Sequence, residues 1–145
     1  PTEDRRTFFR ALVVFWLLAA IDGHAKNFSL FLHAAGRCRL TPLHDILSAH
    51  PLVARRSLAP QELKLAMAVD GVNRHYRLDE IVDRHWISTA RKARFSENEA
   101  RSVLDECSAR VPEVVEEVAR ALPPGFPAEL AGAVFDGLAR TRARI

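Results

Sequence analysis

An aspartate, an asparagine five positions later and a second aspartate beyond a short hairpin carry the groups that phosphoryl transfer needs. Here they are Asp22, Asn27 and Asp45, the first two within Ile21-Asp22-Gly23-His24-Ala25-Lys26-Asn27, the third eighteen residues after Asn27. One carboxylate can accept the proton of an attacking hydroxyl. An amide oxygen and a second carboxylate can hold the magnesium ions that bridge the phosphates of ATP. Asp22 is therefore the expected proton acceptor, and Asn27 and Asp45 the expected metal and cofactor ligands. Lys26, on the same loop, could neutralise a transferred phosphate and touch the cofactor. Each residue also has a plainer role. Asp22 could make a local bond at a helix end, Asn27 could be a turn residue, Asp45 could cap a helical turn, and Lys26 could face solvent.

Residues so far apart in sequence need elements that return them to one end of the molecule. The run Ala11 to Ile21 is apolar all round, as a helix buried in a core would be, and it predicts a helix over 3–21. Thr2 as N-cap with Glu3 and Asp4 in the first turn marks its start. Gly23 is expected to break it by turning sharply. Phe28 to His33 reads as a strand, 34–37 as a turn and Cys38 to Thr41 as the returning strand. That hairpin brings 27 and 45 back toward each other. Residues 46–60 read as irregular, broken at Pro51 and Pro60. Leu63 to Val69 and Val72 to Leu78 read as a second hairpin turning on Asp70-Gly71, with a helix over 62–69 as the alternative. Helices follow over 79–93, from the Ser96/Glu99 capping box to about 110, from Pro112 to about 122, and from 128 to 142, the last with Ala131, Val134, Phe135 and Leu138 facing inward. The expected class is mainly α with two small β-hairpins, an α+β arrangement.

With 145 residues, 48% hydrophobic and 27% charged, the chain fits one globular domain. Its formal charge of +3 rests almost wholly on arginine, with 3 lysines among 21 basic residues, a balance suited to phosphate ligands or acidic partners. Cys38 and Cys107 have no C-x-x-C neighbour, which argues for a reducing, cytoplasmic setting without a thiolate zinc site. Arg5, Arg6 and Arg10 before an apolar run imitate a secretory signal, but eleven apolar residues are too few to span a bilayer, and no membrane association is expected. The six glycines form no phosphate-cradling motif. A nucleotide-binding segment is therefore expected before Pro1, and residues 1–145 alone are expected to be inactive, because positioning supplies most of a kinase's catalysis.

The interval from Asp22 to Asn27 is that of the protein-kinase pattern H-R-D-x-x-x-x-N, and Asp45 stands where D-F-G follows, although Ile46 and Leu47 replace its last two residues. More specifically, Asp22-Gly23-His24-Ala25-Lys26-Asn27-Phe28-Ser29 with Leu40-Thr41-Pro42-Leu43-His44-Asp45-Ile46-Leu47-Ser48-Ala49 resembles the C-terminal lobe of HipA-type toxin kinases. The resemblance continues through Leu63 to Met67 and Leu122 to Pro127. It implies a protein-kinase-like, helical C-lobe over 1–145, with ATP and Mg2+ as cofactors and a serine or threonine hydroxyl of a protein as acceptor. An aminoacyl-tRNA synthetase is the target class the family suggests. The resemblance also implies a small DNA-binding, HipB-like antitoxin as partner, so that DNA is met only indirectly, and a role for His24 in holding the catalytic loop.

Other readings compete. A lobe of this kind could be a degenerate or split kinase acting as a partner-binding module without catalysis. His24, His44, Asp45 and His50 could form a zinc or iron site of a metallohydrolase, though no H-E-x-x-H pair supports it. Arg140, Arg142 and Arg144 could dock DNA or an acidic partner, against the plainer reading of basic residues at a helix C-terminus.

Overall fold

The computed structural model describes residues 2–145. Helix α1 (Thr2–Leu17) runs through the centre, with Phe9, Val13, Phe15, Trp16 and Leu17 buried. Pro1 and the side chain of Thr2, the expected cap, lie outside the described residues. Its end differs from the expectation of 3–21. The Ala20 N–H donates to Phe15 O at 2.8 Å and the Ala19 N–H to Trp16 O at 3.1 Å, while Ala19 is left-handed at φ 50. This is the Schellman pairing, in which a left-handed residue satisfies the last carbonyls of a helix. Alanine occupies a place usually given to glycine, so the stop was hidden from the sequence.

Hairpin β1 (Leu30–Leu32) and β2 (Cys38–Leu40) pairs antiparallel with Phe31 opposite Arg39, as composition predicts. A short helix α2 (His50–Ala54) and a single 3₁₀ turn at Pro60–Glu62 order part of the stretch expected to be irregular. β3 (Lys64–Asp70) and β4 (Arg74–Arg77) form the second hairpin, which excludes the helical alternative for 62–69. Its turn is longer than the expected two residues. Asp70 pairs with Arg74, and the Gly71 N–H donates to Asn73 O at 2.8 Å. Gly71 is small for another reason: a Cβ there would sit 2.8 Å from His75 Nε2 and 3.0 Å from His85 Cδ2.

Helices α3 (Asp83–Lys92), α4 (Glu97–Ala121) and α5 (Ala128–Arg142) complete the chain. Ser96 caps α4 as expected, its Oγ accepting the Glu99 N–H at 3.5 Å. The expected break at Pro112 does not occur, and α4 is one helix with that proline inside it. Pro112 is exposed while Val111 beside it is buried against the core, so the carbonyl deprived of its N–H partner lies toward the solvent side. In α5 the expected stripe is only half-buried. The buried positions are Gly137 and Thr141.

The two sheets are separate pairs on a helical body, the mainly α arrangement that the sequence predicts. Its centre is aromatic: Trp16 and Phe9 meet Trp86 edge-on at centroid distances of 5.7 and 5.9 Å. The Trp16 indole N–H donates to Leu78 O at 3.2 Å, so a fully buried donor is paired. Arg6 and Arg10 of α1 both reach Glu106 of α4 at 2.9 Å. Arg144 closes α5 onto the carbonyls of Asp79 and Ile81. No helix among the described residues is long and apolar enough to cross a membrane.

Candidate functional site

The chain leaves α1 through Ala19 and Ala20 and reaches Asp22 in a tight turn, the Ile21 N–H on Ala19 O at 2.9 Å and the Gly23 N–H on Ala20 O at 3.0 Å. Gly23 is buried, and its role is close approach, not the expected sharp turn. A Cβ at this position would stand 2.5 Å from Phe15 Cδ2 and 3.0 Å from Ala20 O. Seating the loop on the aromatic core in this way sends the Asp22 side chain outward, 82% exposed, with His24 Nε2 3.9 Å from its Oδ1. The carboxylate is thus fixed at its root and open at its tip. His24 Nδ1 is buried without a hydrogen-bond partner among the described residues.

Ala25–Asn27 form a single 3₁₀ turn. Lys26 on it is exposed. Asn27 is turned inward, 3% exposed. Its Oδ1 accepts the His24 N–H at 2.8 Å, and its Nδ2 donates to the backbone carbonyl of Asp45 at 3.5 Å. One side chain therefore links the Asp22 loop to the Asp45 segment. Asp45 itself is exposed and left-handed at φ 56, a conformation that aspartate tolerates better than most residues. The β1–β2 hairpin closes the return path, the Thr41 N–H bonding Ser29 O at 2.9 Å.

Two further ties join these segments. The Ala49 N–H donates to Ala19 O at 3.0 Å, and His50 Nε2 lies 2.9 Å from Leu17 O. A carbonyl can only accept, so His50 carries its proton on Nε2. Burial depresses the basicity of this imidazole, and nearby Arg140 adds to that, against the opposing pull of the Leu17 carbonyl.

The structure thus brings together Asp22 with His24, His24 with Asn27, and Asn27 with Asp45. Lys26 shares their turn but makes no ion pair among the described residues. The rival grouping of His24, His44, Asp45 and His50 does not form. Among the described residues no three His, Cys, Asp or Glu side chains converge as metal ligands, and the His50 ring is committed to Leu17. His50 is the participant that sequence reasoning misplaced, since a lone histidine in a Ser-Ala-His-Pro stretch gives no sign of which carbonyl it will meet. Of the C-terminal arginines, Arg144 is spent on the carbonyls of Asp79 and Ile81.

The family model described as the HipA-like C-terminal domain matches residues 1–115. Among solved structures, a chain of the Shewanella oneidensis MR-1 toxin–antitoxin complex of HipA, HipB and its operator DNA has the same fold. It is 24% identical, with a TM-score of 0.75 over 97% of the present chain. The present chain spans 30% of that chain's length.

Proposed function

This chain belongs to the HipA-like C-terminal domain family, and we propose that it supplies the proton-accepting and metal-holding half of the active site in a serine/threonine kinase of the toxin–antitoxin class. The observation that carries the reading is the Asn27 side chain, which joins the loop bearing Asp22 to the segment bearing Asp45. In this reading Asp22 receives the proton of a serine or threonine hydroxyl. That oxygen forms a bond to the γ-phosphorus of ATP as the bond from that phosphorus to the leaving ADP oxygen breaks. An exposed carboxylate on a loop pinned to the core suits an acceptor that must meet a protein substrate. Lys26 faces the same solvent and would stand by the transferred phosphoryl group, while His24, at 3.9 Å, borders the carboxylate.

By donor type the two residues suit magnesium, with Asp45 open to solvent and Asn27 turned inward. Asp45 offers an exposed carboxylate and Asn27 an amide oxygen with one lone pair beyond that used by the His24 N–H, both hard oxygen ligands. When bound, the ion would neutralise charge on the ATP phosphates. A HipB-like, DNA-binding antitoxin is the proposed partner, with DNA met through it, and a protein such as an aminoacyl-tRNA synthetase the proposed target.

Titrating Mn2+ into 15N-labelled residues 1–145 tests the metal half of this reading. Paramagnetic broadening is expected first at the amides of Asn27 and Asp45, and it should be lost in Asp45→Asn. Broadening that starts on the acidic face of α4 around Glu113, Glu116 and Glu117, and that ignores Asp45→Asn, would refute it.

A second reading has its own observation. The β1–β2 hairpin beside the site leaves Leu30, Phe31 and Leu32 at 53%, 52% and 83% exposure. Apolar side chains so placed suit a lobe whose task is to bind another polypeptide without catalysis. A Mn2+ titration that leaves the site untouched would favour it.

A further inference from the structure

The His50 ring lies where three elements meet. Its own helix α2 begins with it, its Nε2–H holds Leu17 O at 2.9 Å at the last residue of α1, and its ring lies against the backbone of Gly137 in α5. The fit to α5 is so close that a Cβ at Gly137 would clash with the ring, the nearest atoms being Cγ, Cδ2 and Nδ1. His50 is 4% exposed and Gly137 is buried. A polar ring that gives up water in this way must repay its desolvation with a bond, and Leu17 O accepts that bond.

Both chain segments that His50 joins lead to the candidate site. Leu17 precedes Asp22 by five residues, and His50 follows Asp45 by five. Between them the Ala49 N–H bonds Ala19 O at 3.0 Å, and at the far end Asn27 Nδ2 reaches Asp45 O at 3.5 Å. The Asn27 tie is long and therefore weak. The shorter bond at His50 fixes the spacing of the two segments at their base.

We infer that His50 is the positioning residue of the Asp22–Asn27–Asp45 site, and that α5 sets the geometry of that site through the contact of Gly137 with the His50 ring. Its bearing on metal binding rests on the kinase reading above; its bearing on the loop geometry does not. Among the described residues α5 makes no hydrogen bond or ion pair with Asp22, Asn27 or Asp45, and it lies beyond the residues that the family model matches. Besides packing on α1, α2 and α4, it meets the bond that ties the two segments through this ring. If Gly137 gains a methyl group, the ring must leave Leu17 O or α5 must withdraw.

The test is amide hydrogen exchange on residues 1–145 with four variants, together with Mn2+ affinity. His50→Leu removes the donor, and His50→Gln returns an N–H at the same reach. Gly137→Ala displaces the ring, while Gly132→Ala, in the same helix with nothing within 4 Å of its added Cβ, is the control. The expected result is at least tenfold faster exchange at the His24 and Ala49 amides in His50→Leu and Gly137→Ala, with the α1–α4 core amides within twofold of wild type. His50→Gln and Gly132→Ala should stay within about threefold at every site. Mn2+ affinity should follow the same order. Equal protection of His24 and Ala49 in His50→Leu would overturn the inference. So would a uniform loss across the core that His50→Gln fails to repair, since that is what a merely structural histidine would give. If wild type shows no Mn2+ effect at Asp45 while the exchange pattern holds, the kinase reading fails and the positioning role stands.

Discussion

At the scale of single residues, the site depends on which groups are hidden. Asp22 and Asp45 are exposed, while the groups that hold them in place, Gly23, Asn27 and His50, are buried. The sequence made the first set legible, because a carboxylate–amide–carboxylate spacing is a chemical pattern. It made the second legible only in part. Asn27 reads in the sequence as an expected metal ligand and not as the tie it makes in the fold, and the close approach of Gly23 to Phe15 is a tertiary fact that no local pattern encodes. The buried histidines lead to a pH prediction. His50 is held below the usual histidine range by burial and Arg140, and His85 by burial, its stacked neighbour His75 and Arg84. A histidine whose folded basicity is depressed binds its proton more readily in the unfolded chain. Stability is therefore fully present above about pH 6.5, the unfolded value, and declines as pH falls below it. The loss is at most on the order of 1 kcal/mol per histidine per pH unit. Protonation of His85 would also remove the acceptor of the Val82 N–H, now at 3.3 Å from Nδ1. Urea unfolding at pH 7.5, 6.5 and 5.5 should show this fall, with a smaller one in His50→Gln. Constant stability across that range would contradict it.

At the scale of elements, composition fixed which segments are helix or hairpin far better than it fixed where they end. Both hairpins and the buried central helix follow from the apolar pattern. The ends do not, because three helices stop on left-handed residues that are not glycine. Besides Ala19 after α1, Arg56 follows α2 and Arg94 follows α3, at φ 57 and φ 52. In each the Schellman bonds are made, the Ser57 N–H on Leu52 O and the Phe95 N–H on Ala90 O at 2.9 and 2.8 Å. Pro112 misleads in the opposite direction, since the buried stripe of Val103, Leu104, Cys107 and Val111, continued by half-buried Val115, carries the helix through a residue that usually ends one. The left-handed stops give a direct stability prediction. Arg94 is exposed and makes no ion pair among the described residues, so Arg94→Gly relieves the strain of the left-handed backbone without loss of packing. Glycine's greater freedom in the unfolded chain offsets part of that relief. The expected net gain is about 0.5–1 kcal/mol, seen as a Tm raised by roughly 2–3 °C in a thermal melt. A lowered Tm would mean that the Arg94 side chain does more than occupy a stop.

At the scale of the whole molecule, α1 is the beam on which everything else is mounted. It delivers the Asp22 loop, packs its aromatic face against α3, and takes α4 through the pairing of Arg6 and Arg10 with Glu106. α5 then reaches back through His50. Kinase catalysis is largely a matter of holding a hydroxyl, a carboxylate and a nucleotide in line. In the proposed reading this chain would provide the carboxylate side of that arrangement, and it spans 30% of the solved relative's length. We propose that Asp22 accepts the hydroxyl proton in that arrangement. The deciding measurement is the transfer of labelled γ-phosphate from Mg·ATP to a protein serine or threonine by the full-length protein, wild type against Asp22→Asn. At least a hundredfold loss of transfer is expected, with Tm and ATP affinity unchanged because the Asp22 side chain is 82% exposed. Transfer at the wild-type rate in Asp22→Asn would contradict it.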